Sequence, residues 1–198
     1  MVEAVTSAVC RLPLLLALLA VPSAVFAHRD DQYLQATLVA IEPSSVRLQI
    51  NLTPGVAVAE QVIALIDRDR DGAVSKNEAA AYAEWLKRDL TLRVDGRKLE
   101  LKLTASEFVA PEDFRTGSGI IQIEFSATPD SLAAGAHRLT LENRHLTTIS
   151  VYLINAVPPR VGSIRITRQK RNDNQSTGEI EFTFRPLHPK IAGSGGQS

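Results

Sequence analysis

SVRLQINLT, residues 45–53, decides the fold class. Val46, Leu48, Ile50 and Leu52 alternate with Arg47, Gln49 and Asn51. A period of two puts the aliphatic side chains on one face of an extended chain and the polar ones on the other, the pattern of a strand half-buried in a sheet. Upstream, Tyr33 to Glu42 reads as a partner strand, with Glu42-Pro43-Ser44 as the turn between them. Downstream, Thr53-Pro54-Gly55 breaks the strand.

Strand signals resume after residue 89. Leu90 to Val94 and Lys98 to Thr104 flank Asp95-Gly96, a two-residue hairpin signal. Ile120 to Phe125, His137 to Asn143 and Ile149 to Ala156 are three more strands. Ser163 to Gln169 and Glu179 to Phe184 form a hairpin around Asn172-Asp173-Asn174. Residues 105–119 read as an irregular loop that Phe108 and Phe114 tuck onto the sheet, and Pro129 to Ala136 as a turn-rich connection. About nine short strands at meander or Greek-key spacing predict a mostly β (α+β) chain, an antiparallel β-sandwich.

One segment, residues 56–89, departs from this pattern as an insertion between the second and third strands. Val56 to Ile66 places Ala59, Val62, Ile63 and Ile66 on one helical face. Asn77 to Asp89 is rich in Ala and carries Ala81, Tyr82, Trp85 and Leu86 as an apolar stripe. Between the two helices stands DRDRDGAVSKNE, Asp67 to Glu78, with Asp at its first, third and fifth places, Gly at its sixth and Glu at its twelfth. That spacing resembles the calcium loop of the EF-hand family.

Calcium takes about six to eight oxygens. Asp67, Asp69 and Asp71 can turn inward while Arg68 and Arg70 turn out, and Gly72 supplies the sharp turn. Ala73 would offer its backbone carbonyl, Ser75 would contribute directly or through a water, and Glu78 would close the cage with both oxygens. Ser75 and Glu78 also spell a capping box for the second helix, so two roles compete for Glu78; with calcium bound it is expected to leave the backbone for the ion. The sequence holds no second acidic loop of this kind. EF-hands usually pair through the eighth place of the loop, here Val74, so a single hand implies a structural ion rather than a sensor.

Residues 1–27 read as a secretory signal peptide. Arg11 precedes an uncharged run from Leu12 to Ala27, and Val25-Phe26-Ala27 suits cleavage after Ala27; an uncleaved anchor is the alternative. Cys10, the single cysteine, lies in this leader, so the mature chain holds neither a disulfide nor a thiol nucleophile. The expectation is an extracytoplasmic protein, periplasmic or secreted. Its β-sandwich domain spans 28–190, and 191–198 is a flexible Gly/Ser tail. Lys plus Arg and Asp plus Glu number 22 each, which gives no reason to expect nucleic acid or an anionic membrane surface as partner. An exported start followed by β strands resembles the extracytoplasmic domains of some bacterial polytopic membrane proteins linked to metal uptake. That resemblance implies a membrane protein or another extracytoplasmic protein as partner, met by exposed strand edges and the 105–119 loop.

The remaining candidates are weaker. His28, first residue of the mature chain, could bind copper or nickel through its ring and free amine, with His137, His145 or His188 as partner; a periplasmic transition-metal handling protein is the alternative function. Asn143-Arg144-His145 reads as a solvated turn. Arg165, Arg168, Lys170 and Arg171 read as a solvated basic face that Glu179 and Glu181 could pair. The sequence shows no nucleophile elbow, no H-E-x-x-H and no phosphate-cradling Gly loop, so no enzymatic activity is expected.

Overall fold

The computed structural model describes residues 31–186; the leader, His28, His188 and the tail lie outside them. Ten strands form two five-stranded sheets packed face to face, a β-sandwich within an α+β chain. The first sheet contains β1 (Tyr33–Ile41), β2 (Val46–Pro54), β5 (Lys102–Glu107), β6 (Ile121–Ala127) and β8 (Ser150–Ala156), in the order β5-β6-β2-β1-β8. The second contains β3 (Leu90–Val94), β4 (Arg97–Lys98), β7 (Gly135–Asn143), β9 (Ile164–Arg171) and β10 (Thr177–Phe184), in the order β4-β3-β7-β10-β9. Pairings are antiparallel except that of β1 with β8, which is parallel from Tyr33 opposite Ser150 to Val39 opposite Ala156.

The alternation in β2 does what its period demands: Val46, Leu48, Ile50 and Leu52 are buried, while Arg47 and Gln49 are exposed. They face Leu92, Leu139, Leu141, Ile180 and Phe182 of the second sheet within one continuous core. The Asp95-Gly96 turn joins β3 to β4 as expected, with φ of 50° and 80° at its two residues, the left-handed pair that a tight hairpin requires.

Three expectations about the β strands and the 105–119 loop need correction. The predicted strand 98–104 is two: β4 ends at Lys98 in the second sheet and β5 begins at Lys102 in the first. Leu99 and Leu101 are both buried as the chain crosses between layers. The 105–119 stretch is not irregular throughout, since β5 runs to Glu107 and α3 (Pro111–Arg115) follows, with Pro at its first turn, where a missing N–H costs nothing. Phe114 on α3 is wholly buried, as an anchor should be, and Phe108 is half-buried. The third concerns the basic strand. Glu179 and Glu181 lie opposite Lys170 and Arg168, but their ion pairs are with Arg138 of β7.

That strand has another task. β8 and β9 are edge strands of different sheets that meet along one side of the sandwich. Gln169 Oε1 accepts the Ala156 N–H at 3.0 Å, and the Arg171 guanidinium donates to the Ile154 carbonyl and the Asn155 side chain. Side chains thus satisfy part of an edge that would otherwise invite another strand.

Helices α1 (Val56–Ile66) and α2 (Lys76–Asp89) connect β2 of the first sheet to β3 of the second. Val58, Ala59, Val62, Ile63 and Ile66 of α1 and Tyr82, Ala83 and Leu86 of α2 belong to the same core as the sheets. The α2 stripe is rotated from the expected one: Ala81 is exposed and Ala83 is buried in its place, because α2 runs straight into β3 and takes its facing from that strand. Among the described residues no helix is long and apolar enough to cross a membrane.

Candidate metal centre

The loop between α1 and α2 is shaped by its own carboxylates. Asp67 is buried, and its Oδ2 accepts the Gly72 N–H at 3.0 Å. Asp69 Oδ1 accepts from the Asp71 N–H (3.2 Å), and Asp71 Oδ1 from the Ala73 N–H (2.9 Å). Each side chain holds the backbone a few residues on, as short acidic side chains do in turns. Gly72 has φ 83° and Arg70 φ 62°, so the chain turns through the left-handed region twice.

Those turns bring one carboxylate oxygen from each of Asp67, Asp69 and Asp71 within 4.8 Å of one another. Asp67 Oδ1 is buried and has no hydrogen-bond partner. A buried carboxylate oxygen without a donor is costly, and a cation is the natural way to satisfy it. The crowding shows in Asp69. The Asp71 N–H favours its charged form, but desolvation and the charges of Asp71, Glu78 and Asp67 outweigh this and raise its pKa.

Glu78 stands apart from the three. Its Oε2 accepts from the Ser75 N–H (3.0 Å) and hydroxyl (2.7 Å), and the Ser75 hydroxyl accepts the Glu78 N–H, so the capping box is formed. Its Oε1 accepts from the Arg68 N–H at 2.6 Å, which closes the twelfth residue of the loop onto the second. The Ser75 backbone and side-chain bonds and the Arg68 N–H hold its carboxyl down to about 2. Glu78 therefore lies beside the triad while engaged with backbone donors, and Ser75 acts as a helix cap. The donor set is all oxygen, which suits a hard cation and not a soft one.

Asn143-Arg144-His145 is not a solvated turn: Asn143 and His145 are buried. Asn143 donates to Gln35 Oε1 (2.8 Å) and accepts the His145 N–H (2.9 Å), and Gln35 donates to the His145 carbonyl (2.8 Å). The His145 ring contacts Asp89 through Nδ1 and the Tyr82 hydroxyl through Nε2. Tyr82 and Asp89 both lie on α2, so the helix that leaves the acidic loop is tied into the sandwich by a buried polar network. No residue in that network stands at a spacing that marks it in the sequence. Its members become partners only when β1, α2 and the β7–β8 corner meet.

The alternative copper site counts His137 and His145 among the partners of His28. His137 and His145 have both ring nitrogens engaged within the fold. No family model matches the chain, and neither a curated protein nor a solved structure does so.

Proposed function

We propose that the chain is an exported calcium-binding β-sandwich in which a single EF-hand holds a mainly structural ion, and that it serves as a binding or accessory module. The observation that carries this reading is the orphaned, buried Asp67 Oδ1 beside Asp69 and Asp71. Asp67, Asp69, Asp71 and Glu78 would hold the ion, with Ala73 and Ser75 completing the cage. Calcium is favoured over magnesium because magnesium keeps several waters and uses only one or two protein carboxylates. The ion would neutralise the crowded carboxylates and fix the junction of two helices that contribute to the common core. An affinity of roughly 10⁻⁴ to 10⁻³ M, the class of extracellular modules, suits a site of this kind where ambient calcium is high.

Thermal unfolding of residues 28–198 with calcium and with a chelator tests the reading. A ligand specific to the folded state, at about 100 times its dissociation constant, adds about 2.7 kcal/mol. A rise in Tm of several degrees is expected in the wild-type protein and none in Glu78→Gln. Equal Tm with calcium and with chelator in the wild-type protein at millimolar calcium would sink the proposal.

A further inference from the structure

At the end of β3 away from α2, two surface segments meet over His137. One is the Asp95-Gly96 turn; the other is the strap from Pro129 to Ala133 between β6 and β7. The His137 ring is only 8% exposed and stacks on Phe182 of β10 at 5.3 Å. Its Nδ1 lies 2.7 Å from Asp95 Oδ2 and its Nε2 lies 2.8 Å from the Ala133 carbonyl oxygen. A carboxylate and a carbonyl can only accept. Both nitrogens must therefore carry hydrogen, and only the imidazolium has two N–H groups.

A neutral ring would leave one of these oxygens facing a nitrogen lone pair. Asp95 is anchored a second way, since its Oδ1 accepts the Arg138 N–H at 2.9 Å. The Ala133 contact is the weaker holding. Besides it, the strap is tied by buried Pro129 at its start, by half-buried Leu132, and by the Arg97–Asp130 ion pair, whose side chains are 75% and 74% exposed and so contribute little. A cleft of about 350 Å³, lined by Leu99, Leu132 and His137 among others, lies between strap and turn.

We propose that His137 is a proton-operated latch: as the imidazolium it ties the 129–133 strap to the β3–β4 turn, and loss of its proton frees the strap and opens the cleft. Among the charged groups around the ring, Asp95 is the one that favours the closed state. Asp95 faces it from the turn, with Arg97 beside Asp95. Asp130 on the strap is paired to Arg97. Arg138 on the ring's own strand is paired to Glu179 and Glu181 of β10. Burial opposes the charge, but the Asp95 and Ala133 hydrogen bonds and the Asp95 charge outweigh it and raise the pKa. The latch therefore opens as pH rises, above the ordinary histidine value of about 6.5.

Nitrogen-15 NMR of the histidine rings, with the backbone shifts of residues 129–133 followed against pH in the full chain, tests this. At about pH 6.5, where an ordinary histidine is half titrated, both His137 nitrogens should report N–H. On raising the pH, the strap shifts, that of the Ala133 carbonyl carbon foremost, should move together with the loss of the second His137 N–H. His137→Gln should show no such step, and Arg97→Gln should keep it. A single protonated nitrogen at about pH 6.5, or the same pH profile in the wild-type protein and His137→Gln, would overturn the proposal.

Discussion

Asp89 Oδ2 and His145 Nδ1 stand 2.7 Å apart, and their contact joins the last residue of α2 to the corner between β7 and β8. Asp89 accepts, so Nδ1 carries the hydrogen and Nε2 of the neutral ring accepts from Tyr82 at 3.0 Å. The Tyr82 oxygen then accepts from the Tyr33 hydroxyl at 2.7 Å. The whole chain of hydrogen bonds thus has one direction, from β1 through α2 to the corner. Burial pushes the His145 pKa down against the pull of Asp89.

The two described histidines impose opposite pH slopes on stability. For His145, depressed in the fold, the unfolded chain binds more protons. Its contribution is full above the ordinary value of about 6.5 and shrinks as pH falls below it. For His137, raised in the fold, the contribution is full below about 6.5 and is lost as pH rises through the folded value. Urea midpoints between about pH 5 and about pH 8 should therefore peak near neutrality. His145→Gln should flatten the acid side of that window and His137→Gln the alkaline side; unchanged slopes in either variant would refute the assignment.

Asn143→Ala should be costly for a polar residue at the end of a strand. It strands Gln35 Oε1 and the His145 N–H in the interior, and each buried orphan is worth about 1–3 kcal/mol. Urea denaturation measures the loss. A change below about 0.5 kcal/mol, typical of a solvated position, would contradict the buried network.

Gly178 of β10 packs against Ile154 of β8, and a Cβ there would lie 2.7 Å from Ile154 Cγ2. Gly178→Ala should cost about 1–3 kcal/mol by overpacking. In combination with Ile154→Ala the two losses should sum to more than the double variant shows, because the second change removes the clash. Strict additivity would mean the two sheets are not in this contact.

Trp85, the single tryptophan, lies on α2 with its ring 4.7 Å from His145 and 5.8 Å from Tyr82. If the ion fixes α2, calcium should shift Trp85 emission in the wild-type protein and leave it unchanged in Asp67→Asn. Without calcium, Asp69→Asn should be no less stable than the wild-type protein, since it removes one charge from a crowded set. A marked loss of stability in Asp69→Asn without calcium would show that the carboxylates do not repel one another in the empty loop.

Local features were the legible ones. Val46, Leu48, Ile50 and Leu52 announced a strand because one face of β2 is core and the other solvent. Asp95-Gly96 announced a hairpin because few residues accept its backbone angles. The three aspartates were readable from spacing alone, and their convergence follows from the turns they make. The break between β4 and β5 was hidden because Lys98 to Leu103 keeps alternating through it; a period of two says which face a residue takes and not which sheet. The burial of Asn143 and His145 was hidden for another reason. Polar residues read as exposed by default, and their partners Gln35, Asp89 and Tyr82 are distant in sequence. The five-residue α3 is too short for helical periodicity to show.

The parallel pairing of Tyr33 with Ser150 sets an order on how the molecule assembles as it is made. β1 can zip onto β2 as soon as both have emerged, but its other side stays bare until Ser150 to Ala156 exist, after β2 to β7 have been made. Closing so long a loop is entropically expensive and is repaid only when the partner strand docks. β1, the first strand among the described residues, is therefore among the last to be enclosed, and a nascent chain keeps that edge open until β8 arrives.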